Sequence, residues 1–122
     1  MDRTQALYNF WASFGLPAYD EQTIPDGAQM PYITYETATG DLFTQVALTA
    51  SIWYRSNSWA AITQTKEQIN DELGLGGKTV PYEDGVLWIK RGKPFAQRVA
   101  EPNDDTVRRY FLNVVAEFIS AK

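Results

Sequence analysis

The sequence predicts an α+β domain: an antiparallel or mixed β-sheet with a long central hairpin strand, and two helices packed on it. Three observations carry that prediction. Residues 43–56 (FTQVALTASIWYRS) alternate with a period of two over an unusual length. Two other segments carry apolar stripes at helical spacing, and the C-terminal half breaks into short strand-like runs at strong turn signals. At 122 residues the chain is expected to form a single domain, long enough to bury a core without metals or disulfides.

Asp2 stands where an N-cap belongs, and Leu7, Phe10, Trp11 and Phe14 repeat at the i, i+3, i+4, i+7 spacing of one buried stripe. A first helix is therefore expected from about Arg3 to Phe14, ended by Gly15 and Pro17. Residues 15–31 carry Pro17, Pro25, Pro31 and Gly27 without sustained periodicity, which reads as a long ordered connection rather than an element. Its Leu16, Tyr19, Ile24 and Met30 predict that it packs across the surface. Tyr32 to Thr37 alternates as a short strand, and Thr39-Gly40-Asp41 supplies a turn into the long run, making a hairpin.

Along the long run, Val46, Leu48, Ala50, Ile52 and Tyr54 fall on one face, and Gln45, Ala47, Thr49, Ser51, Trp53 and Arg55 on the other. The first face is core. The second is neither a second core nor the Lys/Glu-rich surface of a freely solvated sheet, so something is expected to cover it. Fourteen residues at about 3.3 Å each span roughly 46 Å. A sphere with the expected radius of gyration of about 14 Å is only about 35 Å across. The strand therefore bends at a bulge or projects beyond the body.

Ser56, Asn57 and Ser58 offer N-caps for a helix from Trp59 to Leu73, with Trp59, Ile62, Ile69 and Leu73 on one stripe. Lys66 interrupts the stripe, and its aliphatic stem can lie along the core. Gly74, Gly76 and Gly77 stop the helix; they follow a helix and no Gly-Lys-Ser/Thr opens another, so they form no phosphate loop. Thr79–Glu83 and Val86–Arg91 flank Asp84-Gly85, a strong hairpin signal. Gly92-Lys93-Pro94 reads as a second turn into a short strand, Phe95 to Ala100, and residues 101–105 (EPNDD) as a third break. The last segment, Val107 to Ile119, fits two periods. Tyr110, Leu112, Val114, Ala116 and Phe118 form a strand face, while Val107, Tyr110, Phe111, Val114, Val115 and Phe118 suit a helix capped by Asp104 or Asp105. Aromatic and β-branched content favours the strand.

The chain has no cysteine and no histidine, which removes disulfides, thiolate chemistry, the usual zinc sites and every nucleophile–histidine arrangement. A net charge of −4 argues against a protein whose main task is wrapping nucleic acid. No run approaches the apolar length of a membrane span, and the start lacks a basic-then-apolar leader, so synthesis in a cytoplasm is expected. The adjacent acids Asp71/Glu72 and Asp104/Asp105 point in different directions beside a helix end or turn, where capping and solvation account for them. Asp20, Glu21 and Asp26 read as a solvated loop rather than a metal cluster. No catalytic residue, cofactor or metal is expected.

Two groups remain as interface candidates. Gln45, Thr49, Ser51, Trp53 and Arg55 occupy the second face of the long strand; Trp and Arg are favoured interface anchors, though the 15–31 connection could equally cover Trp53. Lys90, Arg91, Lys93 and Arg98 gather around the second turn of the meander, with Arg108 and Arg109 a strand away. They read either as ordinary edge and turn chemistry or as a charge-complementary contact between copies or with another protein.

The strings ALYNFWASFGLPAYD (6–20), WYRSNSW (53–59) and GVLWIKRGKPFAQR (85–98), with the ending RRYFLNVVAEF, together resemble small neck proteins of tailed bacteriophages, of the tail terminator type. The similarity covers most of the chain and consists of packing residues and turns, so it transfers no catalytic site. It implies a virion subunit, made in the host cytoplasm, that assembles as a homo-oligomeric ring, usually a hexamer, capping the tail tube and joining it to the head connector. The implied partners are copies of itself, the tail tube protein and the head–tail connector protein. DNA would pass through the lumen without specific binding, and no membrane is involved. In such a ring the small polar strand face meets a neighbour or lines the lumen, where few exposed cations favour DNA passage. The alternative reading is a cellular small-molecule-binding α+β domain with a pocket lined by the aromatics near Trp11, Trp53, Trp59 and Trp88.

Overall fold

The computed structural model describes residues 2–120. Within them lie helices α1 (Arg3–Ala12) and α2 (Ala60–Leu73) and strands β1 (Ala18–Asp20), β2 (Tyr32–Tyr35), β3 (Gln45–Arg55), β4 (Lys78–Tyr82), β5 (Gly85–Val99) and β6 (Val107–Ser120). The strands form one six-stranded sheet in the order β1-β2-β3-β6-β5-β4. Every neighbouring pair is antiparallel except β1 with β2, which run parallel. The α+β class and the two helices on a mixed sheet agree with the sequence reading.

Both helices pack on the same face. Trp11 of α1 stacks on Tyr35 of β2 with ring centroids 6.5 Å apart, and Tyr54 of β3 shares a 2.6 Å hydrogen bond with Thr65 of α2. Under them lie Leu48, Ala50 and Ile52 of β3, Leu87 and Ile89 of β5, and Leu112, Val114, Ala116 and Phe118 of β6, each at most 2 % exposed. These are the residues that period-two alternation assigns to one face. Helix α1 touches both β1 and β4, the outermost strands of the sheet. In a flat sheet those strands would be about 24 Å apart, twice the width of a helix. The sheet is therefore curled into a half-barrel with the helices in its concave side.

Local chemistry accounts for the element ends. The Asp2 carboxylate accepts the Gln5 amide at 2.8 Å, capping α1 as expected. The helix stops at Ala12, two residues short of the stripe's last member, yet Phe14 is still buried with its ring edge-on to Phe10 at 5.3 Å. Helix α2 begins one residue after Trp59, and the Ser58 hydroxyl accepts the Ala60 amide at 3.1 Å. Lys66 lies as its spacing predicts, half-buried with its amine 5.5 Å from the Tyr110 ring.

Several boundaries differ from the sequence reading. The 15–31 connection contains β1, whose three residues are too short to show a period and are held by pairing with β2. Strands β2 and β3 do pair antiparallel, but Tyr35 faces Ala50, so no tight hairpin joins them. Beyond that point β3 leaves β2; Glu36 bridges the gap, its carboxylate accepting the Thr49 amide at 3.0 Å. The first half of β3 pairs only with β6, from Gln45–Glu117 onward. Strand β3 is also shorter than the alternation implied, since Phe43 takes a left-handed φ of 63° and ends the run.

The expected turn at Gly92-Lys93-Pro94 is a bulge inside one continuous strand. Register between β5 and β6 shifts between Arg91 and Ala96, and the Asn113 side-chain amide donates to the Pro94 carbonyl at 3.0 Å across the bulge. The last segment is a strand. It is flanked on both sides, by β3 and β5, so double pairing fixes the strand that aromatic and β-branched content favoured where the period alone did not decide.

Candidate functional site

Pairing register places Gln45, Thr49, Ser51 and Trp53 of β3 on the convex face, in line with Arg109, Phe111, Asn113, Val115 and Glu117 of β6. Tyr32 and Thr34 of β2 and Trp88 and Lys90 of β5 join them. A row of rings crosses this face. Tyr19 meets Tyr32 at 5.7 Å, Tyr32 meets Trp53 at 6.4 Å, and the Arg109 guanidinium lies 4.6 Å from the Trp53 ring and 5.7 Å from that of Phe111.

The small residues of the β3 face make room for this layer. Arg109 Nε donates to Ser51 Oγ at 3.0 Å and covers it, leaving Ser51 3 % exposed. Trp53 Nε1 donates to Thr34 Oγ1 at 2.9 Å, and a second guanidinium nitrogen of Arg109 lies 3.7 Å from Glu101. Part of the expected cover is thus intramolecular, supplied by long side chains of the adjoining strands. Thr49 and Trp53 are half-buried, whereas Gln45 is exposed.

Arg55 sits at the end of β3 and donates to Asp104 at 3.1 Å and to the Thr106 hydroxyl at 2.9 Å. Hydrogen bonds from the Thr106 hydroxyl and amide, then the one from Arg55, hold the Asp104 carboxyl down to about 2. Its folded value lies below the ordinary carboxyl range of about 4, so whatever it adds to stability is fully present above pH ~4 and is lost as pH falls toward 2. Asp104→Asn is expected to flatten the fall in thermal midpoint between about pH 4 and pH 2, relative to the parent chain. An unchanged acid limb in a pH series of melts would show that this turn does not report on folding.

The cations adjacent in sequence are parted in space. Arg91 donates to the Asn70 side chain of α2 at 2.7 Å. Arg98 donates to the Tyr110 hydroxyl at 3.1 Å and stacks 4.5 Å from the Trp59 ring, so it belongs to the helix side. Arg108 also lies against Trp59 and donates to the Asn57 carbonyl at 3.0 Å. Burial would raise the Tyr110 phenol, but its hydrogen bonds with Thr63 and Arg98 and the Arg98 and Lys66 charges outweigh that and lower it. Lys90 lies over the Trp88 ring at 4.2 Å, and Lys93 projects from the bulge.

One concavity unites members of both candidate groups. Gln45 lines it together with Lys90, Arg91 and Lys93, in a space of about 450 Å³ walled by Phe95 and Val115. Leu75, 98 % exposed, stands at its rim; the sequence offered no signal for it beyond an apolar residue set between glycines. A second hollow, about 360 Å³, is acidic, with Asp20, Glu21 and Glu36 in its wall. None of the four tryptophans lines either space. Strand alternation sends Trp53 and Trp88 to the convex face, while Trp11 of α1 stacks on Tyr35 and Trp59 meets Tyr110 on the helix side, so the four rings are divided between the two faces of the sheet. Among the described residues there is no group of three or more His, Cys, Asp or Glu placed to hold a metal ion. No described helix is long and apolar enough to cross a membrane.

A solved virion structure shares this fold. It is a chain from the virion of a native gene transfer agent (GTA) particle, superposing with a TM-score of 0.66 over 93 % of this chain and 92 % of that one, at 17 % identity. At that identity the likeness is one of fold. No family model matches the sequence, and no curated protein matches it.

Proposed function

We propose that this chain is a structural protein of a phage-type virion, acting at the neck as a homo-oligomeric ring that terminates the tail tube and joins it to the head connector. The observation that carries the reading is the reach of the fold likeness: it spans nearly the whole of this chain and nearly the whole of the GTA virion chain, rather than a shared hairpin or helix pair. The resemblance of residues 6–20, 53–59 and 85–98 to tail terminator proteins supports the position in the neck.

The surface supports assembly rather than chemistry. The convex face carries a rigid aromatic and arginine layer, and the bulge in β5 leaves Lys90, Arg91 and Lys93 around an open concavity. In this reading the protein acts by shape and charge, with a hexameric ring as the expected assembly and the tail tube and connector proteins above and below it. DNA passes without specific binding: Arg55 and Arg109, at the convex face and its margin, already have the carboxylates of Asp104 and Glu101 beside them, which weakens their pull on a phosphate.

Electron microscopy of intact particles carrying a labelled copy of the chain tests this directly. A ring of label at the head–tail joint is expected. Particles in which the chain is found nowhere at that joint would overturn the neck assignment.

A further inference from the structure

The structure holds two exposed surfaces of opposite character. At the concavity, Lys90, Arg91 and Lys93 surround walls formed by Phe95 and Val115, and Leu75 stands in solvent at the rim. Among the described residues none of these three cations pairs with a carboxylate. A fully exposed leucine beside uncompensated positive charge describes a surface for a partner that brings both an apolar side chain and acids. On the far half of the sheet, residues 21–27 (EQTIPDG) are exposed without a break. Ile24, 40 % exposed, lies between Glu21 and Asp26, and neither acid makes an ion pair among the described residues.

We propose that the 21–27 loop of one copy seats in the concavity of the next, with Ile24 against Leu75, Phe95 and Val115 and with Glu21 and Asp26 facing Lys90, Arg91 and Lys93. The occupant is a second copy of this chain. Each surface carries what the other lacks: an apolar knob flanked by acids, and an apolar-walled hollow flanked by cations. Because the two surfaces differ and lie toward opposite edges of the sheet, the contact is head-to-tail, the kind that closes into a ring when its rotation permits.

Height along the strands is consistent with closure. A rotation preserves height along its axis, so both halves of a ring contact must lie at about the same level. Asp20 is level with Tyr35, and Tyr35 with Ala50; the loop departs from there toward the end of β3 where Gln45 lines the concavity. With the strands running along the ring axis, the two surfaces come close to one level. The inference deepens the ring reading above and rests on it for the existence of a closed assembly.

The chain contains no cysteine, so Ile24→Cys with Leu75→Cys introduces its only two thiols. In assembled rings of the full chain, mild oxidation is expected to yield a ladder of disulfide-linked multimers, because the contact brings the two positions within bonding reach. Separately, Lys90→Glu with Lys93→Glu, and Glu21→Lys with Asp26→Lys, are each expected to weaken self-association by about tenfold or more, read by native mass spectrometry and by ring counts in micrographs. Combining all four substitutions restores the sign complementarity and is expected to restore rings, which a folding defect could not do. Rings that persist in both charge variants and give no disulfide ladder overturn this contact and leave the ring standing. Absence of any ring from assembled particles overturns both.

Discussion

Trp11→Ala is expected to lower the free energy of unfolding by about 3–5 kcal/mol. Trp11 is 1 % exposed and is the largest fully buried side chain among the described residues. It meets Phe10 edge-on at 4.8 Å and stacks on Tyr35 at 6.5 Å, so one ring ties α1 to β2. Since α1 is also the element that touches both outer strands, a cavity beneath it loosens the half-barrel at both edges. Against a total of about 5–15 kcal/mol for an ordinary domain, that loss leaves a much smaller margin. Urea unfolding followed by far-ultraviolet circular dichroism should show a lower midpoint with an unchanged slope. Tyr8→Ala on the same helix, at a 45 % exposed position, should stay within about 0.5 kcal/mol of the parent. Equal effects from the two would mean that α1 does not close the concave side in solution.

The second large effect is expected at Gly85. A Cβ there would lie 1.8 Å from the Ile119 carbonyl oxygen and 2.9 Å from Ser120 Cα, so it meets backbone rather than a side chain that can move aside. Gly85→Ala must either open the pairing of Gly85 with Ser120 or shift the end of β6, and a cost of about 3 kcal/mol is expected from such overpacking. Gly76→Ala is the matched control. No heavy atom lies within 4 Å of its added Cβ and its φ is not left-handed, so it should change stability by less than about 0.5 kcal/mol. Thermal melts of the two variants side by side decide the matter: indistinguishable midpoints would show that β5 and β6 do not approach so closely at this end.

Gly85 also shows why sequence and structure can agree on a place and differ on its cause. Asp84-Gly85 reads as a hairpin signal because glycine permits a left-handed φ. In the fold the pairing of Tyr82 with Gly85 makes Glu83 and Asp84 the two turn residues, and none of the three has a left-handed φ. Glycine is needed there for room against a strand 35 residues further along the sequence, a requirement that no local pattern expresses.

The candidate surface was legible in part for the same reason. Alternation alone sorted β3 into a core face and a face of small polar residues, and the structure keeps that division. What lies over the second face could not be read from β3, because Arg109, which lies over Ser51 and Trp53, comes from β6, 58 residues away from Ser51. The basic cluster was visible as a run, but the bulge between Arg91 and Ala96 changes which face the following residues take. Arg98 therefore turns to Tyr110 on the helix side while Lys90 remains on the convex face.

Taken by itself, the sequence determined both helices, the buried faces of β3 and of β6 read as a strand, and the absence of thiol and imidazole chemistry. Each of these depends on residue identity or on a local period, and a period records only that one side of a segment is buried. The tertiary structure alone decided the order of the strands, the insertion of β6 between β3 and β5, the parallel pairing of β1, and the curl that brings α1 against both edges. It also decided that Gln45 and the lysines of β5 share one concavity. Those are matters of which distant backbone satisfies a strand's hydrogen bonds and of how much room remains between chains, and neither is written in the residues of any one segment.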